Sequence, residues 1–172
     1  MKPARLIAFV LLAIAASADA LAQAPAADTT GGRVAVVVVT LLAVVLCVVT
    51  HYESLSFLSG FLKRVHIVPR PRILLLIFSI LAIHVVEIWI FGAAFYGLTL
   101  GEGTGGLVAN HPTALLDNVY FSAVCFTTLG LGDVVPVGAV RFLAGTEALT
   151  GFVLLTWSAS FTFVEMQRFW KT

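Results

Sequence analysis

The chain has 172 residues, 60% of them hydrophobic and 11% charged, with a formal net charge of +1 and a mean hydropathy of +1.04. So apolar a composition excludes a soluble domain of this size, and so weak a charge balance gives no reason to expect a nucleic-acid partner. What fits is an all-α membrane protein in contact with the lipid bilayer, its backbone polar groups satisfied inside helices. Cys47 and Cys125 both fall in apolar runs and read as small packing residues.

Residues 1–22 have the form of a secretory signal peptide. Lys2 and Arg5 precede the apolar run 6–16, and Ala20-Leu21-Ala22 offers a small-x-small cleavage site. An uncleaved anchor helix is the alternative. Residues 23–33 are then a flexible outer tail. Residues 34–50 carry no charge and predict a first transmembrane helix near the lower length limit. Residues 51–72 change character. Leu55, Leu58, Leu62 and Val65 recur at helical spacing among serines, Lys63 and Arg64. This predicts an amphipathic helix lying in the cytoplasmic interface, or else a connecting loop.

Residues 73–172 form the next unit. The apolar run 73–96 would measure about 36 Å as a helix at 1.5 Å per residue, enough to cross a bilayer with some tilt. His84 and Glu87 sit near its middle, three apart and on one face. They read as a polar contact between helices or a gating pair; a His and a Glu so spaced could also bind a metal or relay protons, but even with His51 the usual three or four ligands are not visibly assembled. After a glycine-rich loop, Pro112 and Thr113 open a helix over 113–126 that is too short to span. It leads into Thr127-Thr128-Leu129-Gly130-Leu131-Gly132-Asp133, and a last span follows over 141–165. Glu147 lies about two turns into that span, where an unpaired carboxylate is costly.

The stretch 127–133 resembles a potassium-channel selectivity filter, whose usual pattern is Thr-Val-Gly-Tyr-Gly-Asp. The physical need is plain. A dehydrated cation wants a column of oxygens, and consecutive carbonyls supply one if the backbone alternates in handedness. Gly130 and Gly132 permit that alternation. An ordinary glycine turn is the bland alternative. With its flanking elements, the chain resembles potassium channels of the two-transmembrane, pore-loop type, as a bacterial homologue of two-pore-domain channels would. The resemblance covers roughly residues 73–166. It implies that Thr128, Leu129, Gly130 and Leu131 coordinate potassium, supported by Thr127, Gly132 and Asp133. It also makes Gly151 a hinge candidate, beside its reading as a helix-packing glycine.

The departures carry expectations of their own. Leu131 replaces the family's tyrosine and Leu129 its valine. Tyr120-Phe121 stands where a tryptophan pair is common, and Val124 where some members place a carboxylate. Filter rigidity is therefore expected from apolar packing. Glu147 is expected either to support the filter from behind or to bond Thr146, Thr150 or Arg141.

One such stretch per chain implies a homotetramer, since four ring a pore. Lys63, Arg64, Arg70 and Arg72 lie on the same side as Arg168 and Lys171, which predicts a cytoplasmic C-terminus and an outward-facing filter. The expected function is passive, potassium-selective conduction across a bacterial inner membrane, without enzyme chemistry, cofactor or small-molecule substrate. A regulatory partner stays open. The alternatives are a weakly selective cation channel, a haem or metal oxidoreductase using His51 and His84, and a non-conducting subunit.

Overall fold

Long apolar runs without helix breakers become long helices, because lipid offers no other partner for backbone N–H and C=O groups. The computed structural model describes residues 29–64, 69–109 and 114–170. The signal-peptide reading and the Pro112-Thr113 helix start lie outside these residues. The described elements are α1 (Thr30–Arg64), α2 (Pro69–Thr99), β1 (Gly106–Val108), α3 (Leu115–Phe126), β2 (Val135–Val137), a 3₁₀ turn (Gly138–Val140) and α4 (Arg141–Trp170). The helices α1, α2 and α4 are long and apolar enough to cross a membrane.

Each long helix buries a narrow stripe and leaves the rest apolar and exposed, the pattern expected where lipid is the solvent. In α1 the stripe is Gly32, Val36, Thr40, Ala43, Cys47, His51, Leu55, Leu58 and Leu62. Its steps of three and four residues match one helical face. The facing stripe of α2 includes Leu76, Ile80, His84, Glu87, Phe91, Phe95 and Leu98. One apolar cluster joins Leu55, Leu58 and Leu62 of α1 to Leu76 and Ile80 of α2. A larger one gathers Val36, Ala43, Cys47, Phe91, Phe95, Phe121, Phe126, Leu143 and Leu154 from all four helices.

The expected separate interfacial segment beginning at residue 51 is corrected here. The helix begun at Thr30 continues unbroken to Arg64. No proline interrupts it, and the leucines that suggested an amphipathic helix extend the α1 stripe onto α2. Phe57 and Phe61 stay outside, stacked on each other at 6.2 Å.

Between α2 and α4 the chain folds back on itself. Strand β1 pairs antiparallel with β2, Gly106 opposite Val137 and Val108 opposite Val135. Thr104 donates its hydroxyl to the Leu98 carbonyl at 2.6 Å. Its own carbonyl accepts from the Val140 N–H at 3.0 Å. These bonds fasten the loop after α2 to the start of α4, with α3 and the stretch 127–133 held between.

Candidate functional site

Helix α3 begins without a side-chain cap at Ala114. Instead, the Asp117 carboxylate accepts the Ala114 N–H at 2.7 Å, which places a negative charge at the positive helix end. The other end closes on itself. Thr128 N–H donates to the Cys125 carbonyl at 2.9 Å and Leu129 N–H to the Val124 carbonyl at 3.0 Å. This pair of bonds is a Schellman motif, which needs one residue in the left-handed region.

Here that residue is Thr128, with φ 57°. For a β-branched side chain this conformation is strained, by roughly 1–2 kcal/mol, and glycine would relieve it. A threonine retained there keeps a hydroxyl at the start of the turn. Gly130 follows at φ 62° and Gly132 at φ 79°. Left-handed residues therefore alternate at 128, 130 and 132, the pattern that directs successive carbonyls to one side. Every residue from 127 to 133 is exposed in the single chain, Leu129 at 62% and Leu131 at 58%.

Sequence reasoning expected a supporting bond from Asp133 but missed its partner. Tyr120 of α3 donates its hydroxyl to Asp133 Oδ2 at 2.6 Å. The expectation that apolar packing alone would fix the stretch is thus corrected. The Tyr120 hydroxyl holds the Asp133 carboxyl below the usual carboxylate range. Asp133 in turn pushes the Tyr120 phenol above its ordinary value. An aromatic hydroxyl at 120, one of the departures from the resemblance, was the available signal.

Behind α3 stands Glu147. It is fully buried, and its Oε1 lies 2.5 Å from Ser122 Oγ. Ser122 also donates to the Ile88 carbonyl of α2 at 2.8 Å. Glu147 thus meets α3 rather than the partners first considered. Thr150 spends its hydroxyl on the Thr146 carbonyl, and Arg141 is exposed. Ser122 went unnoticed because a serine in an apolar helix carries no signal of its own.

Gly151 sits where α4 crosses the end of α3. A Cβ there would come within 2.1 Å of the Phe126 carbonyl oxygen, so glycine is required for this close approach. The geometry therefore favours packing over a hinge. Phe126 also lies against His84, ring centroids 5.8 Å apart.

His84 and Glu87 belong to a buried cluster with His51. Glu87 Oε1 meets His51 Nδ1 at 2.8 Å, and Glu87 Oε2 meets His84 Nδ1 at 2.8 Å. One carboxylate thus joins α1 to α2. The far nitrogen of His51 lies 3.5 Å from Ser158 Oγ of α4.

A search of curated proteins and a search of solved structures both find no match. The family model described as "Ion channel" matches residues 83–168, from the second half of α2 through α3 and the stretch 127–133 to near the end of α4. With half its length covered, the chain belongs to this ion channel family.

Proposed function

We propose that the protein is a homotetrameric, potassium-selective channel in which residues 127–133 form the filter and α3 is the pore helix. As a channel and not an enzyme it needs no cofactor, and the ions it passes are cargo. The observation that carries the reading is the left-handed backbone alternating at Thr128, Gly130 and Gly132. Such a backbone can aim the carbonyls of Thr128, Leu129, Gly130 and Leu131, with the Thr128 hydroxyl, at an ion stripped of water. Thr127, Asp133 and Glu147 support that loop.

Four copies follow from the chain's single filter stretch. The exposure of that stretch in one chain is what a lining shared between subunits requires. The C-terminal end of α3 would turn its negative dipole toward the central cavity and favour a cation there. The lysine and arginine distribution supports a cytoplasmic C-terminus and an outward filter. With residues 1–22 as signal peptide, this suits a bacterial inner membrane.

A weakly selective cation channel is the second reading. It is favoured by Leu131, which offers no hydroxyl to brace the filter. An oxidoreductase using His51 and His84 has lost its ground, because the family is one of channels.

Flux of potassium and sodium into liposomes holding the purified protein tests the proposal, with Gly130→Ala as the control. Potassium-selective flux abolished by the substitution is expected, since a Cβ at φ 62° strains the backbone. Equal flux of both ions would favour the weakly selective channel.

A further inference from the structure

We infer that His51, His84 and Glu87 form a binding site for a divalent transition-metal ion of the zinc class, which clasps α1 to α2. Two of the three donors lie within the family-matched stretch, and His51 lies outside it. The site is therefore assembled only when α1 docks. It does not depend on which ion the chain conducts.

The donor atoms are already gathered. One ring nitrogen from each histidine and a Glu87 oxygen all lie within 4.8 Å of one another. A tetrahedral zinc ion with bonds of about 2.0–2.1 Å spaces its ligand atoms roughly 3.3 Å apart. Glu87 Oε1 stands 2.8 Å from His51 Nδ1 and Oε2 stands 2.8 Å from His84 Nδ1. Side-chain rotations that bring the donor atoms to the tetrahedral spacing would admit the ion. Two imidazoles and one carboxylate suit zinc and its neighbours, whereas magnesium and calcium prefer oxygen donors throughout.

Burial supplies the reason for an ion. His51 and Glu87 are 0% exposed and His84 7%, in a region flanked by apolar helix faces. A carboxylate in such a place calls for compensating positive charge. Both Glu87 oxygens are taken by imidazoles. A divalent cation between them supplies that charge.

The surroundings fit a ligand shell. A metal-bound histidine commonly gives its other ring N–H to an oxygen. His51 Nε2 faces Ser158 Oγ at 3.5 Å. The neighbours of Ser158 on α4 behave otherwise, since Thr156, Ser160 and Thr162 all donate to carbonyls of their own helix. Trp157 covers His51 at 5.2 Å between ring centroids, and Phe126 covers His84. The buried Nε2 of His84 has no hydrogen-bond partner among the described residues. The protein's own groups thus leave the cluster incomplete.

The test uses the full chain, purified in detergent, stripped with a chelator and titrated with Co²⁺. The expected result is visible ligand-field absorption of four-coordinate cobalt that saturates at about one ion per chain and is displaced by Zn²⁺. His51→Ala and Glu87→Gln should each weaken binding by at least about 100-fold, the upper end of what loss of an outer-shell partner costs, while Glu147→Gln leaves it unchanged. Absence of cobalt absorption in the unmodified protein would overturn the inference without recourse to any variant. So would binding that survives in the His51→Ala, His84→Ala double variant.

Discussion

The Tyr120 hydroxyl donates to the Asp133 carboxylate at 2.6 Å, and this one bond fastens the end of the 127–133 stretch to the helix that precedes it. Tyr120→Phe removes the donor and keeps the ring. The folded protein should persist, while potassium flux from liposomes declines several-fold or decays faster after onset. Unchanged flux would show that the tie plays no part in conduction.

The same bond sets a pH dependence. Asp133 is held below its usual value by the Tyr120 hydroxyl, so the stabilisation is present above the ordinary carboxylate range. It is lost as pH falls through the lowered value and protonates the acceptor. Tyr120 is pushed up, so it keeps its proton as pH rises through the usual tyrosine range and beyond. The tie therefore holds across neutral and moderately alkaline pH. Flux measured against pH should be flat there and fall in acid, and Tyr120→Phe should remove the acid limb.

How much of this was legible in the sequence follows from how far apart the partners are. Glycine two residues from glycine dictates where the backbone can turn left-handed, so Gly130 and Gly132 could be read directly. Thr128 could not, because its conformation is imposed by the closing bonds of α3 against the preference of its own side chain. The α1 stripe was visible in halves. Valine-rich and serine-containing stretches look unlike, and only packing on α2 shows Ala43 and Leu62 sharing one face. His84 and Glu87 announced themselves by spacing. His51 is 36 positions from Glu87 and is brought to it by the antiparallel docking of α1.

Glu147→Ala should cost about 2–3 kcal/mol, because it strips a buried partner from Ser122 and leaves a void between α3 and α4. Thermal unfolding in detergent measures the loss. Single-channel conductance should fall as well if Glu147 braces the filter from behind. A stability loss with normal conductance would limit Glu147 to packing.

Gly151→Ala places a Cβ about where the Phe126 carbonyl already lies, and overpacking of this kind costs about 1–3 kcal/mol. Gly145 on the same helix has open space around it, so Gly145→Ala should be neutral or mildly stabilising. Comparison of the two melting temperatures checks the assignment. If Gly151→Ala melted normally and altered only open probability, the hinge reading would replace the packing one.

The most direct test of the central claim is the reversal potential of the purified protein in a planar bilayer, with potassium on one side and sodium on the other. A selective carbonyl filter at 127–133 predicts a reversal potential displaced far from zero in the direction set by potassium permeation. A reversal near zero would contradict potassium selectivity and leave a channel that passes both ions alike.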